Sequence, residues 1–157
     1  MENKDFAIFI LTHGRPDNVK TYNVIRNRGY TGNIYIIIDN EDKSAEKYYE
    51  NFGDKVIMFD KKAIAKTFDE ADNFEDRRAI VYARNACFNI AKDLGIKYFM
   101  QLDDDYIAFH YRLYYMNKPE QIRNLDTVLG FVAYEFPAPP IKSPPCDIAI
   151  VLAGILL

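Results

Sequence analysis

The sequence has no tryptophan, only two cysteines and no excess of basic residues. The cysteines, Cys87 and Cys146, show neither metal-ligand spacing nor a disulfide framework, which is compatible with a reducing compartment. The net charge of −3 provides no basic field from which nucleic-acid binding could be inferred. The final apolar run, residues 148–157, is too short to span a bilayer, and we expect no signal peptide before the first predicted strand. We therefore expect a cytoplasmic protein without a membrane partner.

The residues that are present suit a globular core. Of the 157 residues, 49% are hydrophobic and 15% are aromatic, which argues against disorder. Five of the seven prolines lie within residues 137–145, and an apolar run follows them. Because proline cannot continue a helix or a central strand, we predict one domain at residues 1–136. Residues 137–157 are predicted to be a Pro-rich segment with an apolar tail.

Apolar runs and helical periodicities alternate along residues 5–105. Strands are predicted at residues 5–12, 34–38, 55–60 and 97–102, and helices at residues 16–28, 45–52 and 75–94. The helices carry apolar residues at steps of three or four, as expected for one buried face: Val19, Tyr22 and Ile25; Ala45, Tyr48, Tyr49 and Phe52; Ile80, Ala83, Cys87, Ile90 and Leu94. This alternation predicts an α/β fold with a mostly parallel, doubly wound sheet and helices on both faces.

The remaining segments have weaker patterns. Residues 61–76 are mixed and acidic, and we predict irregular structure with one helical turn around Ile64. Residues 107–116 are rich in tyrosine and fit either a strand or an aromatic lid, whereas residues 125–136 are predicted to be helical.

Three consecutive aspartates, Asp103, Asp104 and Asp105, follow directly on the predicted strand at residues 97–102. Adjacent carboxylates repel one another, and the repulsion grows as water is excluded, so a cation or a basic partner is expected beside them. Since side chains alternate along a strand, Asp103 and Asp105 point to one side and Asp104 to the other. Two carboxylates with this spacing suit a hard divalent ion that keeps positions open for phosphate oxygens. The alternative is a solvated acidic turn.

Polar residues follow the other predicted strands as well. They are Thr12-His13-Gly14-Arg15, Asp39-Asn40 and Asp60. In doubly wound sheets, ligands bind beyond the carboxyl ends of the strands. We therefore expect these segments to gather with the aspartates along one edge of the sheet.

Each candidate in these segments also has a simpler explanation. Asp39 could accept hydrogen bonds from a ribose or a base edge, or serve as a helix cap or turn residue. Arg84 could reach phosphate oxygens or the aspartates, or form an ordinary surface ion pair. Arg15 could bind phosphate, or it could be a solvated charge in a loop. His13 could hydrogen-bond the nucleotide, or it could have a structural role. Cys87 is best interpreted as a small core residue.

Four segments in this order resemble nucleotide-sugar glycosyltransferases of the GT-A fold: residues 10–16 (Ile-Leu-Thr-His-Gly-Arg-Pro), residues 36–39 (Ile-Ile-Ile-Asp), residues 83–86 (Ala-Arg-Asn-Ala) and residues 101–105 (Gln-Leu-Asp-Asp-Asp). The resemblance covers residues 6–106. It is greatest to the small glycosyltransferases of tailed phages, a group linked to sugar modification of hypermodified DNA bases.

The resemblance implies a UDP-sugar donor and Mn²⁺ or Mg²⁺, with a nucleotide-sugar-binding domain at residues 1–136. Thr12 and Asp39 would lie at the uridine and Arg84 near the pyrophosphate. Asp103 would lie near the ribose or the metal, and Asp105 would bind the metal directly. The whole expected donor site consists of Thr12, His13, Gly14, Arg15, Asp39, Arg84, Asp103 and Asp104. No catalytic base is identifiable.

The same resemblance suggests a modified base of phage DNA as the acceptor. A local basic patch of Lys61, Lys62, Arg77 and Arg78 could contact the DNA. Members of this fold carry a second half that builds the acceptor site, and a Gly-rich, polar stretch is expected after residue 141. The Pro-rich segment and apolar tail stand there instead, which leads us to expect a truncated or frame-shifted end without the acceptor-binding part.

Three alternatives remain open. A non-catalytic nucleotide-sugar-binding module, or the relic of a transferase, is favoured by the missing second half. A sugar-1-phosphate nucleotidyltransferase would need a Gly-rich phosphate loop after the first strand, where only Gly14 is present. A phosphatase would carry its aspartates after the first strand, whereas here they follow the fourth.

Overall fold

The structure, a computed structural model, describes residues 5–68, 80–111, 118–135 and 149–150. Its main element is a parallel sheet with the strand order β3-β2-β1-β4-β7. The strands are β1 (Phe6–Leu11), β2 (Asn33–Asp39), β3 (Val56–Phe59), β4 (Tyr98–Asp103) and β7 (Ala149–Ile150). A separate antiparallel ribbon joins β5 (His110–Tyr111) to β6 (Glu120–Gln121).

The register of the central strands determines which residues meet at the carboxyl edge. Every residue of β1 is buried, as expected for an apolar strand covered on both faces. Its last residue, Leu11, is paired with Ile37 of β2 and with Asp103 of β4. The residues that follow β1 therefore emerge beside the residues that follow β4.

Helices cover both faces of the sheet. They are α1 (Lys20–Asn27), α2 (Ala45–Phe52), α3 (Lys61–Ala65), α4 (Val81–Asp93) and α5 (Leu125–Glu135). Alternate residues of β1 serve two cores: Ile8 and Ile10 belong to the core that contains residues of α1, α2 and α5. Ala7 and Phe9 belong to the core that contains residues of α3 and α4. The predicted α/β class, with a parallel sheet between two layers of helices, is confirmed.

One predicted helix start needs correction, and the helical turn predicted around Ile64 is confirmed. Helix α1 begins at Lys20 and not at Pro16, because the Asn18 N–H donates to the Arg15 carbonyl (3.0 Å) and closes a turn before the helix. Residues 61–65 form a short helix whose first turn is capped by Asp60, which accepts from the Ala63 N–H. Of the helix predicted at residues 75–94, the described part is α4, and residues 75–79 lie outside the described ranges.

The predicted buried faces are only partly correct. Tyr49, Ile80 and Leu94 are each more than 40% exposed. Helix α4 buries Cys87 and Ile90 as predicted, together with Tyr82, Ala86 and Ala91. In the stretch predicted as a strand or a lid, only residues 110–111 are strand among the described residues, and residues 112–117 lie outside them.

Of the predicted Pro-rich segment and tail, only Ala149–Ile150 is described, and it pairs with β4. Within the described parts of the chain, no helix is both long and apolar enough to cross a membrane.

Candidate functional site

The loop after β1 is bound to the residue that follows β4. The Thr12 hydroxyl donates to Asp104 Oδ2 (2.6 Å), and Arg15 Nη2 lies 2.8 Å from Asp104 Oδ1. Asp104 is 1% exposed, and its Oδ1 accepts no hydrogen bond from any described residue. The contact with Arg15 is therefore an ion pair in which no N–H points directly at the oxygen. It supplies the positive charge that a buried carboxylate requires.

Tyr48 of α2 extends this contact into a chain of hydrogen bonds. Its hydroxyl accepts from the Arg15 backbone N–H (2.8 Å) and lies 2.8 Å from the Thr12 hydroxyl oxygen. Because the single Thr12 hydroxyl proton is directed to Asp104, the Tyr48 hydroxyl is the donor to Thr12. Burial raises the pKa of Tyr48, so this phenol keeps its proton well above neutral pH.

A second group of polar residues joins the same loop to the end of β2. His13 Nδ1 lies 2.8 Å from Asp39 Oδ2, and the Gly14 N–H donates to Asp42 Oδ2 (2.7 Å). Gly14 has a φ of +70°, a conformation that glycine adopts without strain. The ammonium of Lys61 lies 3.5 Å from Asp39 Oδ2. Asp39, Asp42 and Lys61 are all buried, so this group is a compact charged network at the edge of the sheet.

Thr21, in the first turn of α1, fixes the backbone of the aspartate segment. Its hydroxyl donates to the Asp103 carbonyl (2.6 Å) and accepts from the Tyr106 N–H (2.9 Å). Its own N–H donates to the Asp104 carbonyl (3.1 Å). Thr21 is fully buried, and the position of the acidic segment thus depends on the packing of α1.

Asp103 and Asp105 differ from Asp104 in exposure. The side chain of Asp103 is 41% exposed, and Arg84 Nη2 lies 3.8 Å from its Oδ1. Asp105 is exposed. Among the described residues, no three His, Cys, Asp or Glu side chains are grouped so as to hold a metal ion. Asp103 and Asp105 are the two carboxylates of this segment that are accessible from solvent.

The structure brings most of the predicted candidates to one edge. Thr12 and Arg15 meet Asp104, His13 meets Asp39, and Arg84 approaches Asp103. Two predicted members have local structural roles: Asp60 caps α3, and the Asn40 side chain accepts from the Lys61 N–H (3.1 Å). The fold also adds residues that were not predicted to belong to this site: Thr21, Asp42, Tyr48 and Lys61. Of these, Tyr48 is predicted from the sequence to lie on the apolar face of a helix, and no sequence pattern indicates that its hydroxyl forms hydrogen bonds at this site.

Two interpretations made from the sequence are decided by burial. Cys87 is a core residue as predicted, and burial raises the pKa of its thiol to about 12. The predicted basic patch is wrong at Lys61, which is 6% exposed and paired with Asp39, and its members Arg77 and Arg78 lie outside the described residues.

The family model described as TET-Associated Glycosyltransferase matches residues 6–141. No curated protein and no solved structure matches the chain. The matched range includes strands β1 to β4 and every residue predicted to bind the donor or the metal.

Proposed function

The chain belongs to the TET-associated glycosyltransferase family, and from that premise we propose that it transfers a sugar from a UDP-sugar to a modified DNA base with the help of Mn²⁺ or Mg²⁺. The observation that carries the proposal is the gathering of the segments after β1, β2 and β4 at one edge of the sheet. In open parallel sheets this edge is where ligands bind.

Hydrogen-bonding side chains would hold the uridine of the donor, and arginine side chains would hold its diphosphate. Thr12 and Asp39 are assigned to the uridine, where the Asp39 carboxylate has acceptor capacity beyond its contacts with His13, the Glu41 N–H and Lys61. Arg15 and Arg84, each with about half of its side chain exposed, are assigned to the diphosphate. A guanidinium suits this role because its planar set of N–H groups matches phosphate oxygens.

Asp103 and Asp105 are the residues that would hold the divalent cation. Their exposure leaves both carboxylates accessible from solvent, which supports this assignment. The cation would stabilise negative charge on the departing diphosphate. Thr21 would keep the two carboxylates in place through its hydrogen bonds to the backbone of this segment.

The proposed reaction breaks the bond between the anomeric carbon and the diphosphate oxygen, and UDP leaves with the electron pair. A new bond forms between the anomeric carbon and an acceptor hydroxyl oxygen, whose proton passes to a base. The acceptor must therefore carry a hydroxyl group. Ordinary DNA bases lack one, and a hydroxymethylated pyrimidine would supply it.

The test is release of UDP from UDP-glucose and UDP-N-acetylglucosamine with Mn²⁺, with and without an oligonucleotide that contains hydroxymethylated pyrimidines. We expect release that requires the oligonucleotide, stops with a chelator and is lost in Asp105→Ala. Asp54→Ala is the matched control, because Asp54 is exposed and precedes β3, at the opposite edge of the sheet. UDP binding that depends on Mn²⁺ but gives no turnover would select the non-catalytic binding module instead. Unchanged UDP binding in Asp105→Ala would contradict the metal role.

A further inference from the structure

We propose that Asp104, the middle aspartate, is not a ligand of the cation but a positioning residue that fixes Arg15 for contact with the donor diphosphate. This inference rests on the proposed function and assigns a distinct role to one residue of the acidic segment.

The three aspartates differ in their accessibility to solvent. The side chain of Asp104 is 1% exposed, whereas that of Asp103 is 41% exposed and Asp105 is exposed. Asp104 Oδ2 already accepts the Thr12 hydroxyl hydrogen, and Oδ1 lies 2.8 Å from Arg15 Nη2. A cation at Asp104 Oδ1 would have to enter the protein interior and would meet the Arg15 guanidinium there, and both desolvation and charge repulsion make that costly.

Arg15 is held at its backbone and at its guanidinium. Its backbone N–H donates to the Tyr48 hydroxyl, and its guanidinium is paired with Asp104. About half of the side chain remains exposed, so part of a group with five N–H donors stays available to a ligand. Since an arginine side chain loses considerable rotamer freedom when it is ordered, fixing it before the donor binds raises affinity for the diphosphate.

The three aspartates also differ in the charges beside them. Three adjacent carboxylates occupy three environments: Asp104 faces Arg15, Asp103 lies 3.8 Å from Arg84, and Asp105 is exposed, with no ion pair to any described cation. The buried member is neutralised by the chain itself. The two accessible aspartates, Asp103 and Asp105, are left to bind an external cation. The contacts of Asp104 with Thr12 and Arg15 hold the loop at residues 12–15, and we call these contacts the tether of the loop.

The first experiment is a double-mutant cycle of Asp104→Asn and Arg15→Ala, measured as UDP affinity in the presence of Mn²⁺. Asp104→Asn should weaken UDP binding about tenfold, because the order of the guanidinium is lost. In the Arg15→Ala background the same change should have less than about a twofold effect. The affinity for Mn²⁺ alone, measured by electron paramagnetic resonance, should stay within about twofold in Asp104→Asn and fall in Asp105→Asn.

The inference is overturned if Asp104→Asn weakens Mn²⁺ binding as much as Asp105→Asn does. It is also overturned if Asp104→Asn leaves the UDP affinity unchanged. The same holds if Asp104→Asn lowers the UDP affinity by the same factor with and without Arg15, because a merely structural role of Asp104 would give additive effects. If Asp104→Asn does not fold, Asp104→Glu replaces it in the same cycle: the longer side chain keeps the charge but displaces the guanidinium, so UDP affinity should fall about tenfold with Arg15 present and less than about twofold without it. Unchanged UDP affinity in Asp104→Glu would overturn the inference.

A second experiment needs no ligand. Amide hydrogen exchange of residues 12–15 should be about tenfold faster in Asp104→Asn and Thr12→Val than in the unmodified protein, because the tether of the loop is removed. Unchanged exchange in both variants would overturn the tether even if the protein binds UDP. If the unmodified protein does not bind UDP but exchange rises as expected, the proposed donor fails while the tether stands.

Discussion

The hydroxyl of Thr12 lies 2.6 Å from Oδ2 of Asp104, a residue 92 positions further along the chain. The hydrogen-bond chain runs from the Arg15 N–H to Tyr48, then to Thr12, and ends on the buried carboxylate. One buried acid thus holds the loop after β1, helix α2 and the end of β4 together, and such linked hydrogen bonds strengthen one another.

Removal of the Tyr48 hydroxyl should destabilise the fold. Tyr48→Phe leaves the Arg15 N–H without its acceptor and Thr12 without a donor, so we expect a loss of about 1–2 kcal/mol in the free energy of unfolding. Urea denaturation measures it. Tyr49→Phe is the control, because the neighbouring tyrosine is 42% exposed and should change stability by less than about 0.5 kcal/mol. Equal effects of the two substitutions would contradict the role given to Tyr48.

Thr21→Val should be more damaging than a threonine substitution at the surface. The change keeps the shape but leaves the Tyr106 N–H and the Asp103 carbonyl without their partner at a fully buried position, which should cost about 1–3 kcal/mol. Thr31→Val, which removes only an exposed contact with Asp126, should cost less than about 1 kcal/mol. Thermal and urea unfolding of both variants provide the comparison. Thr21→Ser keeps the hydroxyl and should therefore retain most of the stability that Thr21→Val loses.

Cys87 should make the protein less stable at alkaline pH. The thiol has an ordinary pKa of 9.0, and burial raises it to about 12 in the folded state. Between these values the unfolded state binds fewer protons than the folded state. The free energy of unfolding should therefore fall as pH rises through this window, by up to about 1.4 kcal/mol per pH unit.

The measurement is urea denaturation at several pH values in a Cys146→Ser background, compared with the same protein carrying Cys87→Ala. The difference in stability between the two should be constant below pH 9.0 and shrink above it. In the native state at neutral pH, Cys87 should also react slowly with a thiol reagent, and unfolding should expose it. A rapidly reacting native thiol would show that the position is not buried.

Arg84→Ala should affect ligand binding far more than folding. The Arg84–Asp103 pair is long, and both side chains are substantially exposed, so its loss should change stability by less than about 1 kcal/mol. The affinity for UDP with Mn²⁺ should fall about tenfold if Arg84 contacts the diphosphate. Lys92→Ala, at an exposed position near the other end of the same helix, is the control and should leave the affinity unchanged. Unchanged affinity for UDP in Arg84→Ala would show that Arg84 does not contact the diphosphate.

Much of the fold could be predicted because parallel strands have a strong local signature. The apolar runs that became β1 and β2 could be recognised without any tertiary information, and the helix predicted at residues 45–52 was found at those positions. The helix start at Pro16 was wrong because a single backbone hydrogen bond favours a turn there. The exposed positions of Ile80 and Leu94 were missed because the face that a helix buries depends on the side chains it meets.

The sequence by itself determined that acidic and basic residues would follow the strands and meet at one edge, because the carboxyl ends of parallel strands all lie on the same side of a sheet. Only the tertiary structure decided which of the three aspartates is buried and which residues hold it. Tyr48 and Thr12 are 36 positions apart, and their contact exists because the fold brings α2 beside the loop that follows β1. Hydrogen bonds require partners within about 3 Å, and no local pattern encodes such distances between remote segments.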